Sequence, residues 1–329
     1  MKAFEYATPT SKEQAVGLLA QNWNDAALLA GGTDLLALMK DDIVSPKRLV
    51  NVKGIAGLDG VSYNARTGLR VGALTRIADF ADHADVLKHY PTLAAVAEDA
   101  ASPQIRHLAT MGGNLCQRPR CWYFRNGMGL LAKDQQSGRS LVTDGDNRYH
   151  AILGNDGPAY FVSPSSIAPA LIAAGARVRI LGPKGEREVS LEKFFVIPKS
   201  ENEREHDLRP NEIVTEIMVP PPSGERFAQY EIRQKATFDW PLATASVALK
   251  MSGNKVQAAR IVLGHVAPIP WVSAEAPSAL LGQALNETTA DAAGVVAMKP
   301  SKSLGRNGYK IQLARVAVKR ALLQAAKGS

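Results

Sequence analysis

Cysteine is scarce, with only Cys116 and Cys121 in 329 residues. Two thiols cannot make a disulfide framework for a chain of this length, so a reducing compartment, the cytoplasm, is expected. Long hydrophobic runs are missing too. No stretch reaches the roughly 18 uncharged apolar residues of a membrane span, so no membrane insertion is expected. The first residues, Met1-Lys2-Ala3-Phe4-Glu5-Tyr6, have an early acid and no apolar run, unlike a secretory signal. There is no Walker-type phosphate loop, internal repeat or low-complexity tract. Helix-turn-helix, zinc-finger and RNA-binding signatures are also lacking, so the formal charge of +8 does not indicate nucleic acid. Scattered basic residues suit a solvated surface, and some could serve a phosphate-bearing ligand.

What is present is a chain 46% hydrophobic and long enough for two domains. Ser11-Lys12-Glu13-Gln14 has the form of a capping box and predicts a helix to about Gln21. Strands are expected over 26–30, 47–52, 69–74 and 160–162. Short helices are expected over 35–40 and after a cap at Thr75, and residues 86–101 are helical in composition. The polar run 133–146 has no periodicity and reads as a loop. Ser165 or Ser166 should cap a helix over 167–174. Residues 177–180 and 188–190 should pair around Gly182-Pro183-Lys184-Gly185. Pro220-Pro221-Pro222-Ser223-Gly224 marks the clearest boundary. Beyond it come expected strands at 227–233, 244–251 and 257–263, the last two joined at Gly253-Asn254. A final helix follows, with Ile311, Ala314, Val318, Ala321, Leu322 and Ala325 on one face.

Two segments share a chemistry. Ala30-Gly31-Gly32-Thr33-Asp34 follows a predicted strand, and Thr110-Met111-Gly112-Gly113-Asn114 follows a helical stretch. Paired glycines let backbone approach a ligand, and successive amides can form an anion nest. Either loop alone is an ordinary tight turn; two together suit the many oxygens of a diphosphate. Gly127-Met128-Gly129-Leu130-Leu131-Ala132 fits the G-x-G-x-x-A dinucleotide pattern. Polar sequence follows it where a packed helix should begin, so it is rejected.

The two glycine loops, read as Leu29-Ala30-Gly31-Gly32-Thr33-Asp34-Leu35-Leu36 and Ala109-Thr110-Met111-Gly112-Gly113-Asn114-Leu115, resemble those of molybdenum hydroxylase FAD subunits. These are the subunits of the xanthine, carbon monoxide and aldehyde-oxidising enzymes. Ser102-Pro103-Gln104-Ile105-Arg106, Ser163-Pro164-Ser165-Ser166-Ile167, Lys235-Ala236-Thr237-Phe238-Asp239-Trp240-Pro241, Gly264-His265-Val266-Ala267-Pro268 and Asn307-Gly308-Tyr309-Lys310 continue the resemblance in order.

The resemblance implies an α+β chain with the vanillyl-alcohol oxidase and MurB type (PCMH-type) FAD-binding fold. That domain would span 1–222, with subdomains of about 1–55 and 56–222 and an insertion over about 116–150. A small sheet-and-helix domain would span 223–329. It also implies a large partner with a molybdenum cofactor, a small partner with [2Fe-2S] clusters, and an external electron acceptor. The chain would carry electrons and leave the carbon substrate to the large partner. A free-standing flavin reductase or diaphorase is the alternative, and a binding protein that has lost flavin is a third reading.

The residues expected at FAD are Leu29, Ala30, Gly31, Gly32, Thr33, Asp34, Leu35, Arg106, His107, Thr110, Gly112, Gly113, Asn114, Ser166 and Lys235. Asp34 should bond ribityl or backbone groups, and Lys235 should face the charge of reduced flavin. No acid–base pair is required, because the flavin does the redox chemistry. Cys116-Gln117-Arg118-Pro119-Arg120-Cys121 resembles the start of a loop that holds a [4Fe-4S] cluster in some relatives. Such a cluster normally needs four thiolates, so the expectation is a loop kept and a cluster lost. A cluster completed by Asp134 or His150 is the alternative.

Overall fold

The computed structural model describes residues 1–234 and 238–327. Its first sheet has three parallel strands, β1 (Glu5–Ala7), β2 (Ala26–Leu29) and β3 (Arg48–Asn51), in the order β1-β3-β2. Parallel neighbours need crossovers, and helices Lys12–Leu18 and Leu35–Lys40 provide them. Ser11 caps the first helix by accepting from the Gln14 amide. The box does not close on Ser11: the Gln14 side chain accepts from the Thr10 amide and hydroxyl instead. This helix stops at Leu18, short of Gln21, because Leu19 is already extended at ψ 160°.

The second sheet joins β4 (Val61–Asn64), β5 (Gly68–Gly72), β6 (Arg177–Gly182), β7 (Gly185–Ser190) and β8 (Ile213–Val219). Its order is β4-β5-β8-β6-β7, all antiparallel. β6 and β7 form the hairpin expected from the glycine turn. Helices Ile77–Ala81, Pro91–Glu98 and Ile167–Ala173 share a core with this sheet, centred on Leu69, Phe80, Leu171 and Ile217. The helical composition of 86–101 resolves into two helices, Ala84–His89 and Pro91–Glu98, split at Tyr90. A residue before proline is pushed out of helical backbone, and Tyr90 has ψ 51°. Thr75 is not a cap; Arg76 holds that position, and the Thr75 hydroxyl donates to Gly60 O. Ser166 occupies the cap position of Ile167–Ala173, but Ser165 does the capping, accepting from the Ala168 amide.

The third sheet follows the prolines: β9 (Arg226–Arg233), β10 (Pro241–Ser252), β11 (Lys255–Gly264) and β12 (Trp271–Val272). It is antiparallel, in the order β12-β11-β10-β9. The apolar stripe of helix Tyr309–Lys327, through Ala314, Val318, Ala321 and Leu322, buries against this sheet and helix Glu287–Ala297. Ala248 and Val262 join the core of the second sheet, and helix Ile167–Ala173 contacts their strands β10 and β11.

Two segments differ from expectation. Residues 160–162 form no strand; a single Ala151 N–H to Tyr160 O bond ties them down. The insertion is mostly irregular but contains helices Trp122–Arg125 and Leu141–Asp144. Its inner end is pinned by the buried Lys310, whose Nζ donates to Tyr149 O, His150 O and His265 O. Among the described residues, no helix is long and apolar enough to cross a membrane.

Candidate functional site

The first glycine loop leaves β2 and enters helix Leu35–Lys40 in one turn, closed by Leu36 N–H to Gly32 O. Gly32 sits at φ +73°, a conformation that side chains strain. Gly31 is required for a different reason. A Cβ there would lie 2.0 Å from Leu108 O, so this glycine lets the first loop touch the backbone leading into the second. The amides of residues 31–35 have no acceptor among the described residues. They are left available to a ligand. Leu29 turns away, into a cluster with Met39 and Leu49.

The second loop is built otherwise. The Met111 and Gly112 amides donate to Thr75 O and Ala73 O, and the Gly113 and Asn114 amides to Thr110 Oγ1 and O. The expectation that amides 112–114 face a ligand is corrected by this: each already has an acceptor. What the loop offers is side chains. Asn114 accepts from the Ser165 hydroxyl at 2.5 Å, which fixes its carboxamide and leaves the NH2 group as donor.

A cavity of about 590 Å³ runs between the loops, within the range of a ligand site. Ala30, Gly31, Gly32, Thr33, Asp34 and Leu35 line it, as do Thr110, Gly112, Gly113, Asn114 and Ser166. Arg106 and His107 do not. The Arg106 guanidinium donates to Ala100 O and Ala101 O, bracing a loop that lines the cavity from behind. His107 is exposed. Lys235 lies outside the described residues.

The cavity wall carries charges of both signs: Arg118, Arg120, Arg204 and Arg233 line it together with Asp34, Asp99, Glu212 and Asp239. Asp34, expected at ribityl or backbone groups, accepts from the Arg118 amide at 2.8 Å. It also pairs with Arg120 and Arg125, each at 2.7 Å. Arg118 in turn pairs with buried Glu205 at 3.1 Å. Arg204, next along, lines the cavity, and no hydrogen bond or ion pair engages it among the described residues. Asp34 and Glu205 thus tie Arg118, Arg120 and Arg125 into one cluster, beside which Arg204 lines the cavity. Burial, with Arg118 nearby, lowers the Arg204 pKa to about 9. Burial also lowers Arg120, against the pull of Asp34. His206 is held neutral, at about 3, by burial and then by the same arginines. Arg118, Arg120 and Arg125 could have been noticed as a cationic cluster within ten residues of sequence; Arg204 and His206 carry no local signal.

The two cysteines lie in different surroundings. Cys116 lines the cavity, and burial raises its thiol to about 12. Cys121 Sγ lies 3.2 Å from His150 Nε2, and burial raises this thiol too. Among the described residues, no three His, Cys, Asp or Glu side chains are placed to hold a metal ion. The rejected dinucleotide pattern has its own use: the Leu130 and Leu131 amides hold the Glu201 carboxylate at 2.6 and 2.9 Å.

Free amides at the first loop, a cluster of arginines and a cavity of this size with many apolar lining residues fit FAD, a diphosphate joining two ring systems. Comparison with known proteins agrees. A family profile described as the FAD-binding domain in molybdopterin dehydrogenase matches residues 2–222. Another, the CO dehydrogenase flavoprotein C-terminal domain, matches 228–325. The chain is 34% identical to the aldehyde oxidoreductase FAD-binding subunit PaoB of Escherichia coli, covering 86% of this chain and 87% of that one. It is 32% identical to the carbon monoxide dehydrogenase medium chain of Hydrogenophaga pseudoflava, over 97% and 96% of the two chains. A solved structure of carbon monoxide dehydrogenase from that organism superposes with a TM-score of 0.75, at 31% identity and 99% and 98% coverage. The chain therefore belongs to the family of FAD-binding medium subunits of the molybdenum hydroxylases and is an oxidoreductase subunit of the α+β, PCMH-type flavoprotein fold.

Proposed function

We propose that this chain is the electron-transfer subunit of a heterotrimer. It would take electrons from the [2Fe-2S] clusters of a small subunit and pass them through FAD to an external acceptor, while a large subunit with the molybdenum cofactor oxidises the substrate. The observation that supports this most is the meeting of unpartnered amides at residues 31–35 with the Arg118, Arg120 and Arg204 side chains in one cavity. FAD, when bound, supplies a store for two electrons that can be filled and emptied singly.

The chain's own residues have narrower tasks. The amides of 31–35 and the Thr110 and Asn114 side chains would hold diphosphate and ribityl oxygens. Asp34 would hold Arg118, Arg120 and Arg125 in place rather than touch phosphate, and the arginines would balance its charge. Arg120 also lies over the Trp240 ring, 5.0 Å from its centroid. Trp240 and Phe238 line the cavity and are 48% and 61% exposed, which suits a rim where a ring system meets partners. Free thiols at Cys116 and Cys121 support a reducing compartment, the cytoplasm.

A visible spectrum of the purified chain, followed by acid release, tests the reading. FAD near one per chain, with co-purification of molybdenum and iron–sulfur subunits on co-expression, is the expected result. No flavin, even after added FAD, would sink it. About four irons per chain would restore the cluster to the cysteine loop.

A further inference from the structure

The net charge of the chain is not spread along its length. Residues 1–222 hold 25 Lys and Arg against 25 Asp and Glu, while residues 223–329 hold 14 against 6. The whole formal excess of +8 therefore falls on the third sheet and its helices. Helix Tyr309–Lys327 contains no acidic residue. Strand register gathers much of this charge at one end of the sheet. Arg226 opens β9 opposite Leu249, so Lys250 stands beside it on β10. Lys255 pairs with Ser252 across the turn that follows. The Arg226 guanidinium donates to Ala326 O, which brings in Lys327 at the end of the last helix. Arg320 donates to the Tyr230 hydroxyl a little further along β9.

All five of these cations are exposed. Elsewhere in the same region Arg260, Arg315 and Lys319 pair with Glu192, Asp291 and Glu287. Among the described residues, none of the five has a carboxylate partner. Glu225, next to Arg226, is taken up by the Ser223 amide and hydroxyl at 2.9 and 2.6 Å. Two further features say what kind of partner suits this face. It is remote from the cavity: the eight residues of β9 carry the chain about 23 Å from Arg226 to Arg233, which lines the cavity. A body seated here can hold the chain without touching the flavin. The charges also border a cleft of about 320 Å³, lined by Lys250 together with Tyr90, Pro221, Phe227, Ala248 and Ala259. Charge alone would serve a phosphate backbone. An apolar cleft beside the charge suits a protein segment, whose carboxylates meet the cations while an apolar side chain enters the cleft.

We propose that this end of the third sheet is a docking face for an acidic segment of another subunit, seated on Arg226, Lys250, Lys255 and Lys327 and anchored in the cleft. The inference rests on the heterotrimer reading above. It separates the surface that holds the assembly from the cavity that exchanges electrons.

The test measures binding of the full chain to the co-expressed molybdenum and iron–sulfur subunits at low and high NaCl. One variant combines Lys250→Glu, Lys255→Glu and Lys327→Glu. A second makes the same change of net charge at exposed lysines elsewhere, with Lys40→Glu, Lys133→Glu and Lys184→Glu. At low salt the first should bind roughly tenfold or more weakly than wild type, with the gap closing as salt rises, and the second should stay within about threefold. Flavin content and melting temperature of the first should match wild type. Should it melt early, the neutral Lys250→Gln, Lys255→Gln, Lys327→Gln chain decides, with a smaller loss that is again sensitive to salt. Affinity unchanged in the first variant, or equal losses in both, would overturn the proposal and leave the heterotrimer standing. Wild type that binds duplex DNA or phosphatidylserine vesicles more tightly than the subunits would overturn it as well. Wild type that never assembles removes the heterotrimer reading and this proposal with it.

Discussion

Gly31→Ala separates packing from ligand binding at the first loop. The added methyl would sit 2.0 Å from Leu108 O and 2.8 Å from Leu108 C, where ordinary contact begins near 3.4 Å. Both are backbone atoms, and their segment is held by Ala109 N–H to Ile105 O at 2.7 Å and Ile77 N–H to Ala109 O at 3.0 Å. The two loops would have to part by more than an ångström. Overpacking of this kind costs about 1–3 kcal/mol, and a rigid backbone obstacle argues for the upper half of that range. At about 2–4 °C per kcal/mol, thermal melting of the flavin-free chain should fall by about 4–12 °C. FAD affinity should fall as well, because the nest and the second loop lose register. Gly17→Ala is the control: a Cβ there meets nothing within 4 Å and lies in helix Lys12–Leu18, so it should be neutral or stabilise by up to about 1 kcal/mol. Calorimetric melts of both variants without flavin check this. A Gly31→Ala protein that melts with wild type would refute the apposition of the loops.

Asp34→Asn should lower flavin-free stability by about 2–3 kcal/mol, since Arg120 and Arg125 lose their anion. Inorganic pyrophosphate should then raise its melting temperature more than it raises wild type's, and equal shifts would count against the charge balance drawn for the wall. Arg118→Met would leave the Glu205 carboxylate buried and unpaired, at about 3 kcal/mol or more, and Glu205→Leu in the same chain should recover most of it in a double-mutant cycle. Burial holds His206 and His265 at about 3 and His150 at about 4, below the ordinary value of 6.5. The unfolded chain therefore binds more protons between those values, and stability present above pH 6.5 is lost as pH falls. At pH 5 each histidine should cost about 2 kcal/mol, and His265→Gln should flatten that slope in denaturant titrations at pH 7 and pH 5.

The elements legible in the sequence were those whose signal is local. The 177–190 hairpin declares itself by its glycine turn, β10 and β11 by the turn at Gly253-Asn254 that joins them, and the last helix by its stripe. β8 also alternates, with Ile213, Thr215, Ile217 and Val219 buried, yet it stands directly before three prolines that read only as a boundary. It is the central strand of the second sheet, so missing it hides the sheet's order. Of the site, the glycine pairs were readable as turns, but which amides stay free was not. That depends on Ala73 and Thr75, brought alongside by the fold. The meeting of Asp34 with the arginines was hidden for the same reason: they stand 84 and 91 positions away, and no periodicity encodes such a contact.

Lys310 gives the far side of the molecule a stake in the site. Its ammonium gathers carbonyls from Tyr149, His150 and His265, and neighbouring Asn307 donates to Ala151 O. If the last helix detached, buried carbonyls at the inner end of the insertion would lose their donors, a loss too large for local fraying. The helix and the loop behind the arginine wall should therefore open as one cooperative unit. Amide protons of both should exchange at a shared rate, so that damage to the chain's last turns is felt at the flavin.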